Sequence, residues 1–297
     1  MQPHRIFRRP TLLIVGCGDI GLRVLRALGP FWHVLALTSS PERCAALRQA
    51  GAQPLIGNLD EPATLGRLGQ LADAVLHLAP PAPTGSRDLR TQALLRALRR
   101  GGRVRRLVYC STTGVYGDCD GAWVDETRGV DPTTDRAWRR VDAEAQVRHW
   151  GRALAGACSV VRVPGIYASD RPGGHPRERL LKGVPALCEA DDVYTNHIHA
   201  DDLARACVAA LMRGRPQRVY HVVDDTELRM GDYFDLAADL SGLPRPPRIS
   251  RSQAQAVLPP MMMSFMSESR RLHNRRLKEE LGLRLRYPTV NEGLRHG

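Results

Sequence analysis

Thr11-Leu12-Leu13-Ile14-Val15-Gly16-Cys17-Gly18-Asp19-Ile20-Gly21 is the stretch on which the reading of this fold turns. A short apolar run enters G-x-G-x-x-G, and an amphipathic stretch from Asp19 to Leu28 leaves it. Strand, glycine turn and helix in that order make the fingerprint of a dinucleotide-binding βαβ unit. Gly16 permits the tight turn, Gly18 lets the backbone approach a pyrophosphate, and Gly21 lets helix and strand pack closely. Asp19 and Ile20 open the helix, whose first amides and positive dipole end favour an anion.

The same alternation continues beyond the turn. Strands are expected at 33–38, 53–56, 74–78, 106–111 and 157–163. Helices are expected between them at about 41–50, 62–70, 87–100 and 138–154. Short β-branched runs alternating with helices predict a doubly wound α/β fold, a parallel sheet covered on both faces. After about Pro164 the texture changes, with turn formers at Arg171–Pro176 and a Pro-rich connection at Leu243–Ser250. Further helices are expected at about 201–212, 230–240 and 268–281, with a strand at 219–223. The expected organisation is a basic lead-in at 1–10, a Rossmann domain over 11–165, and a smaller substrate lobe over 166–297 that returns to the Rossmann domain.

Composition sets the outer limits. The 297 residues are 43% hydrophobic and 25% charged, ordinary values for a globular chain. No apolar run reaches the ~20 residues that span a bilayer. Seven cysteines include no C-x-x-C pair, a usage that suits a reducing compartment, and a cytoplasmic location is expected. His197 and His199 are too few to nucleate a metal site, so no metal is expected. The net charge of +12 is almost all arginine, with Lys182 and Lys278 the only lysines. Those arginines are spread along the chain and read as solvated helix faces. No nucleic-acid-binding motif accompanies them, so the expected partner is a small-molecule substrate rather than a nucleic acid or a membrane.

Cofactor type is read at the end of the second strand, about 20 residues past the glycines. An NAD-selective site would place a carboxylate there. This chain offers Thr38, Ser39 and Ser40, with Arg43 one helical step beyond. Hydroxyls and a guanidinium suit a 2′-phosphate, so NADP is favoured over NAD. Ser40 could equally cap the helix that begins at Pro41.

Beside GCGDIG stand GNLD (57–60), HLAPP (77–81), RLVYCSTTGVYG (106–117), RVPGIY (162–167), NHIHADD (196–202) and YHVVDD (220–225). Together these motifs resemble the extended short-chain dehydrogenase/reductase superfamily, in its NAD-dependent epimerase/dehydratase group and an atypical YeeZ-like branch, over roughly residues 11–295. The resemblance implies that Asn58 and Leu59 flank the adenine, and that His77, Leu78 and Ala79 line the path to the nicotinamide ribose. It also implies that Pro164, Gly165 and Ile166 approach the nicotinamide amide. Val15 departs from the pattern by standing where relatives carry a first glycine.

The resemblance breaks at the catalytic residues. Relatives use a Ser or Thr, then Tyr and Lys in Y-x-x-x-K on the next helix. Thr112 fits the first position, but setting Glu144 on the family's helix puts Arg136 at the Tyr position and Arg140 at the Lys position. With two lysines in the chain, neither preceded four residues earlier by Tyr, no Y-x-x-x-K exists. Arg140 can still hold a ribose, yet a guanidinium moves no proton near neutral pH. Tyr116 is the first substitute for the proton donor. Tyr167, His175 and His197 follow, and Tyr167, Asn196 and His197 are the expected substrate-side residues.

Two functions stay open on these residues. One is an NADP-dependent oxidoreductase or epimerase acting on a small polar, sugar-like substrate through an unusual proton donor. The other is a nicotinamide-dinucleotide-binding sensor or regulatory protein without turnover. A homodimer is implied by the resemblance alone.

Overall fold

The computed structural model describes residues 9–154 and 156–296, so all but the last two residues of the expected lead-in lie outside the described part. Its centre is a seven-stranded sheet. In chain order its strands are β1 (Thr11–Val15), β2 (His33–Thr38), β3 (Gln53–Ile56), β4 (Ala74–His77), β5 (Arg106–Thr112), Ala157–Val163 and Arg218–His221. Across the sheet the order runs from Arg218–His221 through Ala157–Val163 to β5, β4, β1, β2 and β3. β1 is paired in parallel with β2 and β4, β2 with β3, and β4 with β5. Leu12, Leu13 and Ile14 have no exposed surface. Burying such a side chain stabilises by roughly 1.5–3 kcal/mol, which is why β1 carries no polar face.

The helices between these strands are α1 (Asp19–Ala27), α2 (Cys44–Gln49), α3 (Leu68–Leu71), α4 (Leu89–Arg99) and α5 (Asp135–Ala153). The segments expected to be helical from Pro41 and from Pro62 both begin with 3-10 turns, at Pro41–Arg43 and Pro62–Leu65. α4 starts at Asp88, a buried cap whose carboxylate accepts from Thr91 N at 3.0 Å and from Thr91 Oγ1 at 2.6 Å.

By contacts the chain groups into two units. One comprises Met1–Cys110, Arg139–Val160 and Cys207–Arg218; the other comprises Ser111–Trp138, Val161–Ala206 and Val219–Gly297. Where the sequence suggested a boundary near residue 165 with later returns, these segments interleave. The second unit is built on two-stranded pairings: Gly165–Tyr167 with His197–His199, Ala186–Leu187 with Arg248–Ile249, and Trp123–Val124 with Arg271–Leu272, all parallel. Its apolar core gathers Tyr167, Tyr233, Phe234 and Ala237 with Val290.

One expected helix is not there as drawn. Of residues 268–281, only Arg275–Glu279 is α-helical, and Arg271–Leu272 is a strand. The carbonyl of Ser269 accepts from the amides of Cys119 and Gly121, and Arg271 N donates to Ala122 O. These long-range bonds draw the segment out straight, an outcome that local helix propensity cannot anticipate. Among the described residues no helix is long and apolar enough to cross a membrane, and no cluster of His, Cys, Asp or Glu is placed to hold a metal ion.

Candidate active site

In the first unit the glycine turn has the shape its sequence requires. Gly16 adopts φ +84°, and a Cβ on it would lie 2.5 Å from the amide nitrogen of Ala79. The contact is fixed from both sides, because Leu78 N and Ala79 N donate to Val15 O at 2.8 and 3.0 Å. A Cβ on Gly21 would lie 2.9 Å from Cys17 Sγ, whereas one on Gly18 would meet nothing within 4 Å. Open space over Gly18 is therefore the cradle, bounded by half-buried Asp19 and Ile20. The amides of Asp19, Ile20 and Gly21 precede the first helical bond, from Leu22 N to Gly18 O. Donors at a helix start beside an unfilled glycine suit a pyrophosphate.

Arg43 is tied directly to this turn. Its Nη2 donates to Cys17 O at 2.7 Å. Ser39 is exposed and Ser40 half-buried, and Ser40 makes no side-chain capping bond to the turn it precedes. The alternative role of Ser40 as a helix cap is thus not taken up. Asn58 is occupied locally: its Nδ2 donates to Glu61 and its Oδ1 accepts from Asp60 N, which shapes the loop around half-buried Leu59.

His77 sits inside the protein. Its ring is fully buried, and Nε2 donates to Thr91 Oγ1 at 2.9 Å, which in turn donates to Asp88. Burial, helped by the charge of Arg140, pushes its pKa down to about 3. The imidazole is a neutral core group, so at residue 77 only the backbone is left to line a ligand path beside half-buried Leu78. Arg140 donates from Nη1 to Tyr109 Oη at 3.0 Å and to Cys110 O at 2.9 Å. It is thereby held at the end of β5 as a fixed cation.

The second unit contains Thr112 and the expected proton donors. Thr112 Oγ1 accepts from Gly114 N at 3.3 Å and leads into a 3-10 turn at Thr113–Tyr116. Tyr116, expected as a proton donor, is 2% exposed. Arg162 donates to its phenol oxygen at 2.6 Å, and the phenol lies 2.6 Å from His221 Nε2. His221 Nδ1 donates to His273 O, so Nε2 is left to accept the phenolic proton. Burial pushes His221 down to about 3, which keeps the ring neutral. Tyr116 is thus a buried phenol held between Arg162 and His221, with almost no surface open to solvent.

The other candidates are also committed. Tyr167 is 2% exposed, donates to Thr289 O, and has its phenol driven far above the usual range by burial. His197 is stacked on Tyr233 at 4.1 Å, and burial pushes it down to about 3. Asn196 holds both neighbours of Arg271, donating to Arg270 O and accepting from Leu272 N. Tyr167 and His197 are therefore packed in the core of this unit, with little surface towards solvent. The stretch Pro164–Ile166 is partly exposed, and Gly165 faces solvent. Arg136, at the Tyr position, is exposed and lies 4.7 Å over the ring of Phe265.

Sequence reasoning passed over two features of this unit. A cavity of about 380 Å³ is lined by Trp123, Asn196, Asp224, His273, Asn274 and Lys278 among others. Glu268 stands beside the turn that follows Thr112: Thr133 Oγ1 donates to its Oε1 at 3.4 Å and Arg270 Nη1 to its Oε2 at 2.8 Å. Read as the start of a helix, residue 268 gave no sign of lying near Gly114.

Comparison with known proteins bears on the whole arrangement. Residues 12–223 match the family described as NAD dependent epimerase/dehydratase family. Protein YeeZ of Escherichia coli (strain K12) is 25% identical over 288 residues, 93% of this chain and 95% of YeeZ. A functionally unknown conserved protein from Silicibacter pomeroyi is 35% identical, with a TM-score of 0.80 over 96% of this chain and 97% of its own. DesIV from Streptomyces venezuelae, a dTDP-glucose 4,6-dehydratase whose double mutant was solved with NAD and DAU bound, is 22% identical. It superposes with a TM-score of 0.76 over 96% of this chain and 94% of its own, a likeness of fold.

Proposed function

The chain belongs to the NAD-dependent epimerase/dehydratase family, and on that premise we propose that it binds a nicotinamide dinucleotide at Gly16–Gly21, NADP in preference to NAD. It acts as an oxidoreductase or epimerase/dehydratase-type enzyme on a small polar, sugar-like substrate. The observation that carries this reading is the bond from Arg43 Nη2 to Cys17 O, which fixes a guanidinium on the rim of the glycine turn. Arg43 is exposed, and no carboxylate stands at Thr38–Ser40 to hold a ribose diol. A guanidinium with two hydroxyls beside it recognises phosphate better than it recognises a diol.

When bound, the dinucleotide supplies the hydride acceptor or donor. The chain's own residues do the rest. The turn 16–21 would hold the pyrophosphate, the backbone of 77–79 would line the ribose path, and Arg140 would hold the ribose as a permanent cation. Thr112 Oγ1 would position a substrate oxygen. Neither Arg136 nor Arg140 can move a proton at neutral pH, so the proton must reach the substrate through another group.

Titration with NADPH and NADH, followed by nicotinamide fluorescence, tests the cofactor reading. NADPH should bind at least about tenfold tighter, ~1.4 kcal/mol. Arg43→Ala should remove that preference while leaving NADH affinity within twofold. Equal affinity for both in the wild type would reverse the NADP assignment, and no binding of either would remove the cofactor reading.

A second reading, a dinucleotide-binding protein without turnover, draws on the burial of Tyr116, Tyr167 and His197. A panel of aldoses, ketoses and sugar nucleotides incubated with NADPH or NADP separates the two. Cofactor that binds but never changes redox state favours the second.

A further inference from the structure

Within the second unit, one carboxylate lies near the turn that follows the expected catalytic threonine. A carbon placed on Gly114 would lie 3.7 Å from Thr112 Oγ1 and 3.9 Å from Glu268 Oε2. The two oxygens therefore flank Gly114, which puts no side chain of its own between them. Glu268 and Arg270 lie two residues apart in an extended stretch, so their side chains leave the same face. Arg270 Nη1 donates to Glu268 Oε2 and also to Gly117 O at 2.7 Å, which anchors the pair to the loop after Thr112. The backbone between them is pinned as well. Ser269 O accepts from Cys119 and Gly121, and Ser269 N donates to Asp118 Oδ1 at 2.7 Å. The Glu268 side chain is 13% exposed and that of Arg270 11%. Each carboxylate oxygen has one protein donor, and a carboxylate oxygen can accept more than one.

We propose that Glu268 is the acid/base group of the Thr112 site, in the role for which Arg136 and Arg140 are chemically unfit. The proposal rests on the reading of the protein as an oxidoreductase. In the oxidising direction the Glu268 carboxylate takes the proton of a substrate hydroxyl held by Thr112. The carbon bearing that oxygen becomes a carbonyl as its hydrogen departs with two electrons, for which the oxidised nicotinamide dinucleotide is the acceptor. Glu268 then passes its proton to water. Reduction runs the same transfers backwards, with the carboxylic acid as donor. Arg270 positions the carboxylate, and Thr133 fixes its other oxygen. Thr112 and the neighbouring pair Glu268 and Arg270, from two separated parts of the chain, thus assemble what Y-x-x-x-K supplies on one helix.

The test compares wild type with Glu268→Gln, which keeps shape and loses the proton-transfer chemistry, and with Glu268→Asp, which keeps the chemistry at a shorter reach. Using a substrate found in the panel above, Glu268→Gln should lose about 10²- to 10⁴-fold in kcat, the usual range for a general acid or base. NADPH affinity should stay within twofold, the acid limb of the rate–pH profile should vanish, and Glu268→Asp should recover part of the rate. A second measurement needs no turnover. Carbodiimide with glycine ethyl ester, mapped by mass spectrometry on the nucleotide-free protein, should label Glu268. A folded Glu268→Gln with wild-type kcat overturns the proposal and leaves the oxidoreductase reading standing. Failure of Glu268 to label at any pH also overturns it alone, because a carboxyl that no reagent reaches cannot meet substrate. A wild type that never turns over any substrate removes the reading and the proposal together.

Discussion

At the residue scale, the same residue type does different work according to what surrounds it. Tyr116 lies in a motif where a phenol near Thr112 invites a catalytic role, yet its hydroxyl is bonded between Arg162 and His221 with almost no exposed surface. Tyr116→Phe should therefore act on stability. Removing the oxygen leaves a buried guanidinium and a buried imidazole each short of a partner, a loss of about 1–3 kcal/mol. The urea midpoint should fall accordingly while NADPH affinity is unchanged. A stable Tyr116→Phe that has lost turnover would return the phenol to catalysis. Glu268 is the converse case. Its identity says nothing, and its role comes from lying against Gly114 and Thr133, the latter 135 residues away.

At the element scale, the start of α4 shows how a helix cap supports a site. Asp88 caps Thr91, Thr91 accepts from His77, and His77 lies at the end of β4 beside the residues that touch Gly16. Asp88→Ala would remove the cap and leave the Thr91 hydroxyl without its acceptor. Unfolding should become easier by roughly 1–3 kcal/mol, with Asp88→Asn losing less, as chemical denaturation would measure. A change under about 0.5 kcal/mol would mean that the chain from Asp88 to His77 is not cooperative. Elements also explain where sequence patterns misled. The 268–281 segment carries helix-forming residues, but bonds to Cys119, Gly121 and Ala122 take its first part into an extended pairing.

At the scale of the whole molecule, buried titratable groups set the pH range of stability. Burial pushes His77, His197 and His221 from 6.5 down to about 3. Between those values the unfolded chain holds more protons, so stability falls as pH drops below 6.5. Asp224 runs the other way: burial raises it from 3.8 to about 8, and the folded chain keeps its proton over that window. Its contribution is present below 3.8 and is lost as pH rises towards 8. Below pH 6.5 the three histidines, joined by His175, which burial also lowers, act against Asp224 and the likewise raised Glu126 and Asp192, and towards pH 8 Asp224 carries the alkaline side. The Tm should therefore peak near pH 6.5, falling steeply on the acid side and gently on the alkaline side. Calorimetry across pH 4.5 to 8.5 checks this, and a Tm that climbs as pH drops from 6.5 to 4.5 would contradict it.

The positions of the first six sheet strands and the glycine turn were legible in the sequence, because each depends on neighbours within about one βαβ unit, whereas the strand read in the later lobe, Arg218–His221, joins the edge of the central sheet only through tertiary pairing. Strand periodicity, a G-x-G-x-x-G run and a guanidinium just past β2 are local patterns with local consequences. The absence of Y-x-x-x-K was equally plain, since it needs only a count of lysines. The tertiary structure decided what the remaining polar residues do. Burial withdrew Tyr116, Tyr167, His77 and His197 from solvent, and long-range pairing carried Glu268 to the Thr112 turn. Neither effect is encoded within a few residues of the group concerned, because desolvation and proximity are properties of the packed chain.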